Sequence, residues 1–317
     1  MSSDSTPITP LRITIVGAGL GGLAAALALR QNGHIVQVFE RSENKTEVGA
    51  ALALQLNAIR VLEHFGVQVK NLKGVSFQGS LIRTHVLGYA QNASPTGIVC
   101  CRAVFHTPSA ESIQPGLEWL TTGIRGIRNG ELINSAHFYT ETDEEKKDVS
   151  SPVSTPSISP AEVRAKFADY HSKFHRLLDL PNHTGTIFRW RLRTLPALPT
   201  WCKGRTALLG DAAHATLPFL GQGAAMAIED AAVLACLLPI GTTPEDIPGR
   251  LAVWEHVRKP RADYVSKASI EQMDIIVAGQ QATTLINGDT RPKLVEYNAI
   301  AAGRRAYQDN FTGGQKA

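Results

Sequence analysis

A glycine-rich turn near the start of the chain constrains the fold more than any other feature. Before it, the apolar, β-branched run at 13–16 predicts a strand that is buried on both faces. The turn itself is Gly17-Ala18-Gly19-Leu20-Gly21-Gly22, a G-x-G-x-x-G pattern, and an alanine-rich segment after it predicts a helix through Arg30. Asn32-Gly33 fits the end of that helix, and 35–39 predicts a second strand. This order of elements is typical of a dinucleotide-binding unit.

The glycines have separate roles in such a unit. Gly17 allows the tight turn, and Gly19 lets the backbone approach a pyrophosphate. Gly22 or its neighbour Gly21 allows the helix to pack closely on the strand. The N-terminus of the helix presents N–H groups and the positive end of the helix dipole to the phosphates.

An acidic residue closes the second strand. Glu40 stands 23 residues after Gly17, where a carboxylate accepts hydrogen bonds from the adenosine ribose and disfavours a 2′-phosphate. We also expect Arg41, the next residue, to contact the cofactor. A glycine turn without a ligand is the alternative, but strand, glycines, helix, strand and acid occur together here, which argues against it. The unit by itself does not separate FAD from NAD.

The composition is that of a globular protein with a sizeable core. The chain has 317 residues, 43% hydrophobic and 19% charged, which fits one large domain or two ordinary ones. The net charge of +4 is modest and the basic residues are scattered, so we expect no nucleic-acid partner. The polar first ten residues predict no signal peptide, and no apolar stretch is long enough for an integral membrane segment. The four cysteines and ten histidines lack metal-ligand spacing, so we expect reduced thiols, a cytoplasmic location and no metal.

A second nucleotide-contact pattern lies far along the chain. The short apolar run at 206–209 predicts a buried strand that ends in Gly210-Asp211. Asp211 at the carboxyl end of a strand can accept hydrogen bonds from ribityl hydroxyls. After Pro218 and Gly221-x-Gly223, the helix predicted at 224–238 would direct its positive end at the flavin pyrimidine ring. An Asp-capped turn is the alternative, but with a dinucleotide unit elsewhere in the chain this pattern favours FAD.

Three stretches resemble the flavin-dependent aromatic hydroxylases, the family of para-hydroxybenzoate and salicylate hydroxylases, and especially its fungal secondary-metabolism branch. They are GAGLGGLAAALALRQNGHIVQVFER at 17–41, GAALALQLNAIRVLEHFGV at 49–67 and GRTALLGDAAHATLPFLGQGAAMAIEDAAVLACLL at 204–238. Weaker similarity covers PTGIVCCRAVF, RNGELIN and WRLRTLPALPTW, so that the resemblance spans most of the chain.

The middle of the chain departs from the family pattern. A segment that family members carry after the helix ending near Gly66 is missing here, and 75–83 matches only the end of the motif that follows that segment. The resemblance implies that the missing part would supply an arginine near FAD and strands of the substrate domain. The family's aromatic–arginine pair survives only as Arg102, which follows Cys101.

The resemblance also implies a reaction. NADH or NADPH reduces FAD, O2 adds to give a flavin C4a-hydroperoxide, and the distal oxygen is transferred to an aromatic or polyketide-like small molecule. The protein supplies positioning, charge stabilisation and exclusion of water, and no metal is needed. Arg102 would hold a phenolate or carboxylate of the substrate, although an exposed strand arginine fits the pattern equally well.

Two other functions stay open at this point. A truncated flavin-binding relative without hydroxylase activity is favoured by the shortened middle, because the flavin ring needs a complete, dry pocket for the reaction. An NAD(H)-dependent dehydrogenase would use the first glycine motif alone. The apolar helix after Gly221-x-Gly223 argues against the dehydrogenase, which does not need it.

The sequence therefore predicts an α/β fold with a doubly wound, Rossmann-like FAD-binding domain and a smaller, reduced β-sheet substrate domain. The FAD-binding domain is expected from 8–88 and 194–300, and the substrate domain from 89–193, with a mobile loop near 141–160 and a weakly structured tail at 301–317. Further helices are expected near 57–66, 160–174 and 249–277, and further strands at 97–107, 130–140 and 186–193. The expected FAD contacts are Gly17, Gly19, Gly22, Glu40, Arg41, Asp211, Pro218, Gly221 and Gly223.

Overall fold

The computed structural model describes residues 9–41, 54–68, 94–106, 132–147, 154–169, 175–176, 178–180, 187–277 and 290–312. The chain divides into two compact units. The first comprises 1–46, 52–93 and 195–317, and the second comprises 47–51 and 94–194. The motif remnant at 75–83 lies outside the described residues.

The helices and strands follow one another in mixed order. They are β1 (Arg12–Val16), α1 (Leu20–Gln31), β2 (Ile35–Phe39), α2 (Leu56–His64), β3 (Ser94–His106), β4 (Leu132–Thr140), α3 (Asp143–Lys147), β5 (Ser154–Ile158), α4 (Pro160–Lys166), β6 (Ile187–Thr194), β7 (Cys202–Lys203), β8 (Thr206–Ala207), α5 (Asp211–His214), α6 (Gly223–Leu237), α7 (Ile247–Val277), α8 (Thr290–Val295) and α9 (Ala299–Phe311). No helix in the described part of the chain is both long enough and apolar enough to cross a membrane.

The first unit begins with the predicted strand–helix–strand arrangement. Strands β1 and β2 pair in parallel from Arg12 opposite Ile35 to Val16 opposite Phe39, and α1 connects them. The prediction that β1 is buried on both faces is wrong. Its residues alternate between half-buried and exposed, and Val16 keeps 56% of its surface exposed, because one face of this strand pair is uncovered.

Helix α6 is the centre of the first unit. Eleven of its fifteen residues are buried, which confirms the buried helix predicted from its apolar sequence. Helices α1, α2, α7 and α9 pack around it, and small residues allow close approach. A Cβ built on Gly303 of α9, for example, would lie 2.8 Å from Cβ of Cys236. Two large side chains, Trp201 and Trp254, complete this core with their rings 5.5 Å apart.

The tail is helical rather than weakly structured. Helix α9 spans most of 301–317, and Asn298 caps it by accepting the Ala301 N–H at 3.0 Å. Its buried alanines and Gly303 face α6, and this tertiary packing stabilises a helix whose sequence pattern alone is weak.

The second unit is an antiparallel sheet with strand order β4-β3-β6-β5. One face of β3 carries Val99, Cys101, Ala103 and Phe105, and these residues form a separate core with α4 and its neighbours. Ser159 and Glu162 form a capping box at the start of α4, with Pro160 at the first helical position. The helix ends at Lys166, earlier than the predicted 174.

The expected mobile loop at 141–160 contains regular structure, so that part of the prediction is wrong. It includes α3 and β5, while 148–153 lies outside the described residues. Hydrogen bonds between acidic and basic side chains explain why this segment is structured. Glu141 is buried and accepts a hydrogen bond from Nε of the buried Arg191, and Glu145 accepts one from Arg189 at 3.1 Å. Both arginines lie on β6, so these bonds hold the acidic segment on the sheet.

Candidate functional site

The glycine turn after β1 is closed by its own backbone. The Gly17 N–H donates to the Phe39 carbonyl at 2.7 Å, and Gly17 has a φ of 108°, which a residue with a side chain rarely adopts. Gly19 is the N-cap of α1 and makes no side-chain cap, as glycine requires. A Cβ on Gly22 would lie 2.1 Å from the Gly17 carbonyl oxygen and 3.3 Å from Cγ2 of Ile15. Gly22 is therefore the residue that lets α1 pack against the turn and β1.

Glu40 reaches back to the same turn. Its Oε2 accepts the Ala18 N–H at 2.7 Å, so the carboxylate is held beside the glycines. Arg41, the next residue along the chain, is exposed. A carboxylate fixed at this place has the position expected for a ribose acceptor.

Close contact joins the two glycine motifs, although nearly two hundred residues separate them. A Cβ on Gly21 would lie 2.5 Å from Cδ2 of Leu209 and 3.1 Å from Cβ of Ala227. A Cβ on Gly210 would also lie 3.1 Å from Cβ of Ala227. Gly21 thus allows α1 to pack on α6, and Gly22 allows α1 to pack on the glycine turn. Both glycines that the sequence offered for close helix packing therefore have that role.

Helices α1 and α6 run in the same direction. Their N-terminal parts meet at Gly21 and Ala227, and their C-terminal ends are joined by Asn32, whose Nδ2 donates to the Ala235 and Leu238 carbonyls at 2.7 and 2.9 Å. The buried His34 adds a bond from Nε2 to the Leu238 carbonyl at 2.9 Å. The positive ends of both helix dipoles therefore lie at one end of the unit, beside the glycine turn.

The buried carboxylate of Asp230 holds the Gly-Asp motif in position. Asp230 of α6 accepts the Gly210 N–H at 3.0 Å and bonds Nε2 of His214 at 2.6 Å through the same oxygen. Asp211 itself is exposed at the first position of the short helix α5. The strand predicted before it is shorter than expected, since only Thr206–Ala207 pair, in a hairpin with Cys202–Lys203.

The buried Arg258 and the half-buried Arg261 balance the acids of α6. Arg258 donates from Nε to Asp230 at 2.8 Å and pairs with Glu229 at 2.8 Å, and Arg261 also donates to both oxygens of Glu229 at 2.7 Å. Burial alone would raise the pKa of Asp230, but His214 and Arg258 hold that pKa well below its usual range. None of these four residues was predicted from the sequence as part of the site. The signal was present, because two consecutive acids interrupt an apolar, buried helix and cannot stay there unpaired.

The loop before α6 leaves room for a ligand to approach its backbone closely. Pro218 begins a single 3₁₀ turn, Pro218–Leu220, and Gly221 ends it in the left-handed conformation. Gly223 is the first residue of α6, where a Cβ would meet only Cγ2 of Thr216 at 3.6 Å. The buried Oγ1 of Thr216 makes no hydrogen bond within the described part of the chain. An orphaned hydroxyl beside an uncapped helix N-terminus fits a ligand with polar groups.

These features fit FAD. The glycine turn, Glu40, Gly210-Asp211 and the loop 218–223 belong to one unit, with two helix N-termini directed the same way. FAD needs such a set, because its pyrophosphate requires N–H donors and glycine contacts and its ribityl chain requires acceptors. Of the predicted site residues, only Arg102 belongs to the second unit.

Arg102 lies on the face of β3 opposite the core of the second unit. It stands across from Phe188 of β6 and Ala136 of β4, while Cys100, two residues earlier, stands across from Trp190 and Phe138. Phe188, Trp190 and Phe138 are half-buried, as is Arg102. The face therefore combines one cation with three aromatic rings, which is a suitable surface for a flat anionic molecule.

Comparisons with known proteins agree with this description. Residues 143–269 match the family described as FAD binding domain, and 15–45 match the NAD(P)-binding Rossmann-like domain. A hispidin-3-hydroxylase of Neonothopanus nambi is 30% identical over 406 aligned positions, which cover 91% of this chain and 94% of that protein. Among solved structures, a salicylate hydroxylase substrate complex has a TM-score of 0.73 at 20% identity, covering 94% of this chain and 98% of that one. CtdE in complex with FAD and substrate 4 has a TM-score of 0.77 at 18% identity, covering 94% and 98%.

The chain is shorter than this relative over the aligned region. Because 91% of 317 residues is about 288, more than a hundred of the 406 aligned positions have no residue in this chain. The solved structures show that the α/β, Rossmann-like fold is kept, as the sequence predicted.

Proposed function

Because the chain belongs to the FAD-dependent monooxygenases, we propose that it hydroxylates an aromatic or polyketide-like small molecule. FAD, reduced by NADH or NADPH and reoxidised by O2, supplies the oxygen-transfer chemistry when it is bound. The protein holds the cofactor, orients the substrate and excludes water. The relatives support the substrate class, since the names of several refer to a hydroxylated aromatic or heteroaromatic compound, such as hispidin, 6-hydroxynicotinate or urate.

One observation carries the assignment of the FAD site: the two glycine motifs pack on each other through Gly21 and Ala227, with α1 and α6 parallel. A dinucleotide that spans both motifs meets two positive helix ends at once. We propose that Gly17, Gly19 and Gly22 form the pyrophosphate cradle. The expected donors to the phosphates are backbone N–H groups, which are neutral, rather than cationic side chains.

The remaining cofactor contacts are assigned by chemistry. We propose that Glu40 accepts from the adenosine ribose, with Arg41 at the edge of that subsite, and that Asp211 accepts from the ribityl chain. Glu40 follows β2 of the parallel strand pair, where ligands meet open α/β sheets, and Asp211 follows the Gly210 turn that Asp230 holds. Pro218, Gly221 and Gly223 are proposed to line the flavin ring, because their loop leads into the N-terminus of α6.

The substrate is proposed to lie against the second unit, which we assign as the substrate domain. Arg102 would pair with a phenolate or carboxylate, and the rings of Phe188, Trp190 and Phe138 would contact the flat part of the molecule. A guanidinium among aromatic rings suits an aromatic anion better than an aliphatic one. We therefore expect phenolic or carboxylated aromatic substrates.

The cysteines support a reducing compartment. All four are free thiols, and burial raises the pKa of Cys100 to about 12 and of Cys101 to about 11, so these two stay protonated and unreactive. A chain with unpaired cysteines and a nicotinamide reductant suits the cytoplasm, which we propose as its location.

A visible absorption spectrum tests this function directly. The purified protein is expected to retain oxidised flavin that NADPH or NADH bleaches and air restores. Phenolic or carboxylated aromatic compounds should accelerate nicotinamide oxidation and appear as hydroxylated products by mass spectrometry. If all of the consumed O2 is recovered as hydrogen peroxide with every compound, the hydroxylase assignment is wrong.

A second candidate is flavin binding without hydroxylation, which would fit the aligned positions that have no residue in this chain and the uncovered face of β1 and β2. The same experiment separates the two, because the second candidate retains flavin but yields no product. A protein that retains no flavin with excess FAD contradicts both.

A further inference from the structure

A chain of amide side chains connects the start of α2 to the loop before α6. Gln55 donates from Nε2 to the Leu220 carbonyl at 2.8 Å, and Gln222 donates from Nε2 to Oε1 of Gln55 at 2.6 Å. Asn57 then donates from Nδ2 to Oε1 of Gln222 at 2.9 Å and to Oε1 of Glu229 at 2.7 Å. The residues that it joins are separated by about 170 positions in sequence, so it ties distant segments together. We call Gln55, Asn57 and Gln222 the amide clamp.

The inner part of the amide clamp is inaccessible to water. Asn57 and Gln222 are each 1% exposed, and Glu229 is fully buried. A buried amide that loses its partner cannot replace it with solvent, so each bond in the clamp fixes its neighbour. The clamp is anchored on Glu229, which the guanidinium groups of Arg258 and Arg261 hold in place.

The side chain of Gln222 does not cap α6. The residue stands at the N-cap position of that helix, but its side chain makes no cap hydrogen bond and turns inward to Gln55 and Asn57 instead. The first N–H groups of α6 are consequently not satisfied by the side chain at the position that usually caps them. They stay available at the end of the loop that carries Pro218 and Gly221.

We propose that Asn57 is a positioning residue for the flavin: by holding Gln222 away from the helix end, it keeps the loop 218–223 and the N-terminus of α6 open to the cofactor. This inference rests on the proposed FAD site. Asparagine is needed because both of its contacts are acceptors, Oε1 of Gln222 and Oε1 of Glu229, and Nδ2 supplies both hydrogens.

The requirement for a neutral donor provides a sharp test. Asn57→Asp replaces Nδ2 with a carboxylate oxygen next to Glu229, with Arg258 and Arg261 as the nearby cations on α7. Two neighbouring carboxylates repel, so one of them takes up a proton more readily than a free acid does. In its protonated form, the substituted side chain of Asn57→Asp can donate one hydrogen bond and partly restore the clamp.

We would measure the dissociation constant of FAD for apoprotein of the wild type, Asn57→Asp and Asn57→Ser between pH 5.5 and 8.5 by quenching of flavin fluorescence. Asn310→Asp is the matched control, since Asn310 is exposed on α9 and bonds only the Ala306 carbonyl among the described residues. Asn57→Asp is expected to bind FAD at least about tenfold more weakly at pH 8.5 and to recover most of that loss at pH 5.5. Asn57→Ser should be weakened by a similar factor at every pH, and the control should follow the wild type.

The melting temperature of each apoprotein, measured in parallel, separates positioning from folding. Wild-type affinity in folded Asn57→Asp and Asn57→Ser at all pH values would overturn the inference while the FAD site stands. An affinity loss in Asn57→Asp that does not change with pH, or that disappears when only the folded fraction is counted, would also overturn it. Failure of the wild type itself to bind FAD would contradict the proposed function and this inference together.

Discussion

Nε2 of His214 lies 2.6 Å from Oδ2 of Asp230, the same oxygen that accepts the Gly210 N–H. The carboxylate thus fixes both ends of the turn that carries Asp211, from a position that is fully buried. His214 is therefore a structural contact of this turn. The ring of Trp201, centred 5.0 Å from that of His214, fills the other side.

Replacing Asp230 with asparagine is expected to destabilise the protein strongly. Asp230→Asn leaves buried Arg258 with only one carboxylate partner among the described residues, Glu229, and breaking a buried ion pair costs about 3–5 kcal/mol. Urea unfolding monitored by circular dichroism measures the change. Asp263→Asn is the matched control, because its pair with Lys259 is partly exposed and should contribute less than about 1 kcal/mol. Equal effects of the two substitutions would contradict the buried network.

The same pair predicts a pH dependence of stability. Burial opposes the charge on His214, but Asp230 overcomes this and raises the pKa of His214 above its ordinary 6.5. A raised pKa in the folded state means that the stabilising contribution is complete below about pH 6.5 and is lost as the pH rises through the folded-state pKa. The pKa of Asp230 is lowered in the folded protein, so its contribution to the free energy of unfolding is lost only in strong acid.

The free energy of unfolding should therefore fall as the pH rises above about 6.5. His214→Gln keeps a hydrogen-bond donor near Asp230 but cannot titrate, so its stability should change less over this range. Urea titrations of both proteins at about pH 6 to 9 give the comparison. Parallel pH profiles would mean that His214 does not carry the effect.

Gly22 should tolerate no side chain. Alanine at this position places Cβ against the Gly17 carbonyl oxygen and Ile15, and such overpacking costs about 1–3 kcal/mol or more when backbone must move. Gly22→Ala should lower the melting temperature and weaken FAD binding, because the turn itself shifts. Gly249→Ala is the control: a Cβ there meets nothing within 4 Å, and alanine in a helix should be neutral or stabilising. Normal FAD binding by a folded Gly22→Ala protein would contradict the cradle.

Asp211 is expected to influence cofactor content rather than folding. Its side chain is exposed, so Asp211→Ala should leave the melting temperature of the apoprotein nearly unchanged while lowering flavin occupancy after purification. The ratio of flavin to protein absorbance reports occupancy, with Asp309→Ala, exposed on α9, as the control. Unchanged occupancy in Asp211→Ala would remove the proposed ribityl contact.

Arg102 should act on the substrate and not on FAD. Arg102→Met is expected to raise KM for phenolic or carboxylated substrates about tenfold or more, since a charged hydrogen bond contributes about 1.5–3 kcal/mol. Arg102→Lys should recover part of the loss, and both variants should retain wild-type flavin. Steady-state kinetics of nicotinamide oxidation measure KM. An unchanged KM in Arg102→Met would show that Arg102 is only a strand residue.

The sequence allowed most of the cofactor side of the molecule to be predicted, because its signals are local. The glycine turn, α1 and β2 each depend on residues that are close together in the sequence. The helix at 224–238 was predicted from its apolar composition, which dictates burial wherever the helix lies.

Contacts between distant segments could not be predicted in the same way. The pairing of Glu141 with Arg191 depends on the register of the sheet. This pairing helps to fix the start of the segment at 141–160, although the composition of that segment indicated a loop. Helix α9 depends on packing against α6, which nothing in its own sequence specifies. The amide clamp joins α2 to residues more than 160 positions away, so Asn57 and Gln222 carried no local sign of their role.

The parallel packing of α1 on α6 has a consequence for biosynthesis. The buried alanines of α1 face a partner that ends at Leu237, so a ribosome must translate about three quarters of the chain before the N-terminal helix can complete its core. Until then the nascent chain exposes an apolar helix surface and an unfinished glycine turn, which are features that attract chaperones. Folding of the second unit, whose strands are contiguous in translation order from 94 to 194, should come first. The nucleotide site would then form only after the second unit, as the C-terminal part of the chain leaves the ribosome.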